Sequence, residues 1–207
     1  MPDEFISPPL RISNIVHGRR KVENRVEYLL DSTGKDCTEY DIPEQIVLKR
    51  WRARKHQYYN FGGMRMSPNI WRSIRLALGE DCTRISKMSD SEINVSYQNI
   101  SQDIMAANYK KVAGANILKL IEGIGLVKFQ KLMVRHNDPN RSGIYGTPDL
   151  YLWATSKARK TIKYIRFVEV KRPTEHLKAH QKEEIAYLND ELNLKARVLR
   201  LKEVSGK

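Results

Sequence analysis

Asp149, Glu169 and Lys171 are the residues of this chain whose types and spacing fit a reaction. Glu169 and Lys171 stand two apart in KYIRFVEVK, whose β-branched and aromatic residues predict a strand over 163–171. That spacing puts both side chains on one face and turns Val168 and Val170 to the other. Asp149 opens a second short strand, DLYLW at 149–153. The link ATSKARKT is short, so the strands form an antiparallel hairpin that brings Asp149 near Glu169. Taken singly, Asp149 could cap a turn after Pro148, and Glu169 and Lys171 could be a surface pair. Together, two carboxylates and an ammonium on an apolar hairpin are costly without a purpose. Phosphodiester hydrolysis supplies one: it needs a hydroxide, a neutralised phosphoryl group and a stabilised leaving oxygen. Hard oxygen ligands hold Mg²⁺, which keeps several waters, lowers a water's pKa and draws charge from phosphate. Asp149 and Glu169 are such ligands, and the backbone carbonyl of Val170 is a third. Lys171 is placed to orient the attacking water or to stabilise developing charge.

The elements that position these residues follow from periodicity. Residues 1–20, with three prolines, predict an extended arm, and KVENRVEYLLD at 21–31 a short amphipathic helix. Residues 31–45 are polar and turn-rich, 44–60 are strongly basic, and Gly62–Gly63 break the chain. Ser67 and Pro68 start a helix, Ser67 as N-cap, with Ile70, Trp71, Ile74, Leu76 and Leu78 apolar up to Gly79. A second short helix covers 81–88, and Ser89 or Ser91 caps a third. The pair around Gly79 is either a helix-turn-helix or plain helical packing. The longest helical pattern spans 101–122 and ends at Gly123 and Gly125. LVKFQKLMV at 126–134 alternates, predicting a strand with Val127, Phe129, Lys131 and Met133 on one face. After a loop at 138–148 come the two strands of the hairpin, a helix over 175–192 and a last strand over 195–202. The second half thus reads helix, three strands, helix, strand.

GTPDLYLW at 146–153, then FVEVK at 167–171, then HLKAHQ at 176–181 resemble the PD-(D/E)XK nuclease superfamily, and within it the VRR-NUC group. The matching positions are Gly146, Pro148, Asp149, Leu150, Val168, Glu169, Val170, Lys171 and Gln181. PD alone or ExK alone is noise; their joint spacing with a glutamine helix is specific. The resemblance covers roughly residues 100–203. It implies an α/β restriction-endonuclease-like core, αβββαβ, behind a mainly helical N-terminal region. It also implies Mg²⁺ or Mn²⁺ dependence, hydrolysis of DNA, and a role for Gln181 at the edge of the site. Members carry a further glutamate on the first helix; over 101–122 the candidates are Asp103 and Glu122, and Asp103 is favoured. The domains expected are 1–98, an accessory DNA-engaging region, and 99–207, the nuclease. The function expected is a metal-dependent DNA endonuclease, with flapped or branched DNA as substrate. The rivals are a catalytically impaired DNA-binding protein that keeps the fold, and an enzyme acting on RNA.

Charge points the same way. The chain carries a formal net charge of +13, which favours a polyanionic partner. Most of the excess lies in the second half, with 21 basic and 11 acidic side chains beyond residue 100 against 16 and 13 before it. Arg50, Arg52, Arg54 and Lys55 alternate with Trp51, Tyr58, Tyr59 and Phe61, so they can neutralise phosphates while the rings stack on bases. Lys157, Arg159, Lys160 and Lys163 cluster on the hairpin beside the trio and are expected to grip a backbone near the scissile phosphate; Arg172 and Lys178 extend that field. His176 and His180 have the i, i+4 spacing of zinc ligands but no third partner, so phosphate contact or plain surface is expected. There is no transmembrane-length apolar run and no signal-peptide pattern, and the two cysteines, Cys37 and Cys82, cannot build a disulfide framework. An intracellular protein is expected, cytoplasmic or nucleoid-associated, without a membrane partner, and able to cut both strands as a homodimer.

Overall fold

The computed structural model describes residues 6–16, 20–23, 26–32, 38–66, 68–99, 113–141, 146–172 and 175–204. The strands β1 (Ile6–Val16), β2 (Arg20–Glu23), β3 (Val26–Ser32) and β4 (Thr38–Asp41) come first, then α1 (Pro43–Arg52) and β5 (Tyr59–Arg65). Next are the helices α2 (Ile70–Leu78), α3 (Cys82–Lys87), α4 (Asp90–Gln98), α5 (Gly114–Ile124) and α6 (Leu126–Asn137). The chain then runs through β6 (Leu150–Ser156), β7 (Ile162–Lys171), α7 (Ala179–Ala186) with a π turn at Tyr187–Glu191, and β8 (Ala196–Val204). A five-stranded sheet has the order β1-β8-β7-β6-β5, and β2-β3-β4 form a separate three-stranded one.

β5, β6 and β7 are antiparallel neighbours, and β8 lies parallel to β7. In chain order α1, β5, β6, β7, α7 and β8 make the expected αβββαβ core. Two of its members are not where the sequence pattern put them. The first helix is α1, not 101–122, and the first strand is β5, not 126–134. The helices α2 to α6 are an insertion between the first and second core strands. An expected division at 98/99 therefore runs through one sheet: β5 pairs with β6, and β1 pairs with β8. The region before it is not mainly helical either, since five strands precede α2.

Alternation along the strands sorts the core into two layers. Ile46, Val47 and Leu48 of α1 bury Leu150, Leu152, Val168 and Val170 on one face. Tyr151, Phe167, Ala196 and Val198 point to the other, where α7 and the inserted helices cover them with Ile185, Leu188, Ile74, Phe129 and Leu132. α2 and α3, on either side of Gly79, are part of this packing through Ile74, Leu78, Cys82 and Ile85.

The misread segments have physical reasons. Over 126–137 the buried residues are Phe129, Leu132 and Met133, a helical i, i+3, i+4 set, while Val127 and Val134 are each 68% exposed. The apparent alternation placed Val127 with Phe129; only the helical period matches burial. Of residues 21–31, expected as a helix, 21–23 lie in β2 and 26–31 in β3, with Val22 opposite Glu27, and β3 in turn pairs with β4. Pairing into a three-stranded antiparallel sheet outweighs a helical spacing that spans about three turns at most. The arm expected at the N-terminus holds β1, which extends the main sheet. Helix α2 begins two residues after Pro68, with Asn69 at its N-cap rather than Ser67, which lies outside the described residues. Gly62 and Gly63 do not end an element but sit mid-strand in β5. A Cβ on Gly62 would come within 2.3 Å of the Trp153 ring, and one on Gly63 within 2.7 Å of Leu152. Their bare backbones let Trp153 and α1 close on the strand.

Candidate active site

Asp149 stands at the mouth of the β6–β7 hairpin. Its backbone carbonyl accepts from Met66 N–H at 2.7 Å, which fixes it to the end of β5, and Oδ2 accepts from Val170 N–H at 2.7 Å. The N–H and C=O of one strand residue project to the same edge, so the Val170 carbonyl also lies on the Asp149 side. Glu169 and Lys171 share the α7 face, as their spacing predicts, and are 2% and 3% exposed. Lys171 Nζ lies 2.8 Å from Glu169 Oε1 and 3.0 Å from Glu175 Oε1. Gln181 Nε2 donates to the same Glu169 Oε1 at 2.5 Å, while Gln181 Oε1 accepts from Lys178 N–H. The glutamine thus ties Glu169 to the first turn of α7.

Helix α7 can approach because Gly146, in the loop before Pro148, has no side chain. A Cβ there would lie 2.6 Å from both Glu184 Cβ and the His180 carbonyl. From the other side Glu184 anchors α7 to α6. Its carboxylate, 1% exposed, meets His136 Nε2 at 2.7 Å and Arg135 Nε at 3.0 Å. Burial alone would raise its pKa, but the hydrogen bonds and charges of His136 and Arg135 prevail and hold it low.

Electrostatically the site is short of positive charge. Burial first, and then the charge of Glu169, push the Asp149 carboxyl up to about 8; Glu44 pushes the same way, while Val170 N–H and Lys171 oppose. Burial also raises Glu169, against the pull of Lys171. Burial would lower Lys171, but its bonds to Glu169 and Glu175 outweigh that and keep the ammonium charged. Glu44, in the first turn of α1, is the acidic residue that the first core helix brings to Asp149. Asp103, expected in that role, lies outside the described residues.

The donor set fits a hard divalent cation: carboxylates of Asp149 and Glu169, the Val170 carbonyl, and the charge of Glu44 nearby. Among the described residues no three His, Cys, Asp or Glu side chains are gathered closely enough to form a cage. A cation here would keep much of its water, as Mg²⁺ does. His176 and His180 belong to no such group.

The basic residues separate into three places. Arg172 and Lys178 flank the site; Arg172 N–H and its carbonyl close a turn onto Glu175, and Arg200 Nη1 donates to the Arg172 and Glu175 carbonyls. Lys157, Arg159, Lys160 and Lys163 are at the closed end of the hairpin, not beside the trio. Eight residues of strand, at about 3.3 Å each, put Lys157 roughly 25 Å from Asp149. Arg50, Arg52, Arg54 and Lys55 end α1 and the loop after it; Arg52 Nη2 bonds the Gly63 carbonyl at 2.5 Å and so secures β5. Glu44, Glu175, Arg200 and the Glu184 cluster were not singled out in the sequence. Of these, Glu44 had a local signal, since Ile42-Pro43-Glu44 opens an apolar helical run.

Residues 85–203, more than half of the chain, match the VRR-NUC domain family. The chain belongs to the VRR-NUC family. Its core is accordingly of the PD-(D/E)XK type. No curated protein is similar enough in sequence to be matched. Among solved structures, paFAN1 bound to 1-nt 5′-flap DNA with a gap is similar with a TM-score of 0.46 at 13% identity, over 83% of this chain and 36% of that one. A second paFAN1 complex, with 2-nt 5′-flap DNA, gives a TM-score of 0.40 at 13% identity over 79% and 35%. The VRR-NUC chain described here thus spans about a third of paFAN1. Among its described residues no helix is long and apolar enough to cross a membrane.

Proposed function

We propose that this VRR-NUC chain is a DNA endonuclease that hydrolyses phosphodiester bonds with the help of Mg²⁺ or Mn²⁺. The observation that carries the reading is the meeting of the buried Glu169 and Lys171 with the half-buried Asp149 at the hairpin mouth, where burial and Glu169 push the Asp149 carboxyl up to about 8. Such an arrangement is unfavourable by itself and is relieved by a divalent cation. Asp149, Glu169 and the Val170 carbonyl would hold that cation, with Glu44 adding negative charge to the same field. When bound it supplies Lewis-acid charge to the phosphate and makes water more acidic. Lys171, kept as an ammonium between Glu169 and Glu175, orients the attacking water and meets charge developing on phosphate oxygens. Gln181 holds Glu169 in place. Flapped or branched DNA is the substrate class that the family resemblance favours. Glu44, whose charge acts on Asp149, supports this reading over an impaired, binding-only protein, which would follow from a first core helix without an acidic partner.

The test is cleavage of linear, flapped and single-stranded DNA, with RNA alongside, in Mg²⁺, Mn²⁺ or EDTA. Cleavage of DNA with metal, its absence in EDTA, and its loss in Lys171→Ala with DNA affinity retained are expected. A purified protein that cuts none of the DNA substrates, or a Lys171→Ala variant that still cuts, overturns the reading.

A further inference from the structure

The face of the sheet turned away from the catalytic trio carries a feature that cleavage does not use. Beyond the end of α1 lies a cavity of about 430 Å³. Its floor is apolar, made by Val47, Leu152, Val168 and Leu199. Its rim includes Arg50, Arg54 and Arg166, and Arg197 stands behind them, opposite Val168 on β8. Arg54 and Arg197 are close enough to Arg166 that, after burial, their charges lower its pKa. Among the described residues no carboxylate pairs with Arg54, Arg166 or Arg197. Three like charges gathered over an apolar floor repel one another and call for an anion.

A second observation says which anion. Tyr164 lies two residues before Arg166 on β7, hence on the same face about 7 Å along. Its ring is 57% exposed and meets that of Tyr59 edge-on at 5.3 Å. Arginines without a carboxylate partner, Arg54 resting on the Trp51 and Phe61 rings, followed by the exposed Tyr164 and the half-buried Tyr59, match what an unpaired strand needs: phosphate charge neutralised, bases stacked. An acidic peptide would need the charge but not the rings.

We propose that this face is a binding site for an unpaired nucleic-acid strand, with Arg54, Arg166 and Arg197 on its phosphates and Tyr59 and Tyr164 against its bases. It rests on the nucleic-acid part of the reading above, not on the chemistry of the trio. The site lies across the sheet from Glu169 and Lys171, so a strand there is one arm of the substrate, led away from the scissile bond.

The experiment uses the full chain in EDTA and measures anisotropy of a labelled oligothymidylate and of a blunt duplex. Tyr164→Ala is expected to weaken oligothymidylate binding about tenfold, the scale of one lost base stack. Arg54→Gln with Arg166→Gln should weaken it at least as much, and blunt-duplex binding should hold within about twofold for both variants, because a duplex keeps its bases out of reach of the rings. All three side chains are exposed, and thermal melts check folding. Unchanged oligothymidylate binding in the folded variants overturns the site. So does equal wild-type affinity for an abasic oligomer, or tighter binding of polyglutamate than of oligothymidylate. Metal-dependent cleavage of blunt duplex, assayed in the same proteins, keeps the two readings apart: its presence with unchanged oligothymidylate binding sinks this site alone.

Discussion

Asp149 is the residue on which stability and catalysis pull in opposite directions. In the unfolded chain its carboxyl ionises near the ordinary value of 3.8, whereas in the fold burial and then Glu169 hold the proton until about 8. The folded state therefore binds more protons than the unfolded one between those values, and stability falls as pH rises through that window. Asp149→Asn removes the cost and keeps an oxygen for Val170 N–H. In EDTA at pH 8 this variant should melt at least ~2 °C above the wild type, the shift that about 1 kcal/mol produces in a chain of this size. At pH 4 the two should melt together. Added Mg²⁺ should raise the wild-type melting temperature and leave the variant unmoved. An Asn variant that melts below the wild type at pH 8 would mean that Asp149 is stabilising as an ion, and that its role is structural.

At the scale of elements the site depends on where α7 sits, because α7 carries Gln181. Two contacts decide that position: the bare Gly146 backbone against His180 and Glu184, and the Glu184 clamp to Arg135 and His136. The low pKa of Glu184 means its stabilisation is present at neutral pH and is lost as pH falls through that folded value. Glu184→Gln leaves the buried His136 side chain without its anion and Arg135 with only the exposed Glu183, and should cost about 3 kcal/mol in urea unfolding. Cleavage should drop as well, since the helix behind Glu169 loses its anchor; a variant as stable as the wild type would show that the clamp is solvated. These elements also explain what was readable. The hairpin β6–β7, the helix α7 and β8 follow one another, so the Pro148-Asp149 and Glu169-Lys171 patterns expose them directly. α1 and β5 reach the same sheet from across a long helical insertion, and the sequence pattern in chain order points to the nearest helix and the nearest alternation instead. For that reason the sequence order points to Asp103, while the structure brings Glu44 toward Asp149.

For the whole molecule the useful quantity is the distance between its charges. The excess that gives +13 is not piled at the trio but reaches to the closed end of the hairpin, where Lys157 lies roughly 25 Å away and Lys163, six strand residues from Glu169, roughly 20 Å. At about 3.4 Å per base pair, that is some six to seven base pairs from the bond to be cut. These lysines can touch a duplex only if it extends that far, so they set length dependence and affinity rather than turnover. Lys157→Glu with Lys163→Glu should leave cleavage unchanged on substrates whose duplex arm ends within about five base pairs of the cut. On longer arms the same variant should bind more weakly, and the slope of log affinity against log salt should become shallower by about 1.8, the release expected for two phosphate contacts. Binding isotherms at several salt concentrations on short and long arms measure both. Equal loss on short and long arms would place the loop beside the scissile phosphate after all, and would require the hairpin mouth to be abandoned as the reactive end.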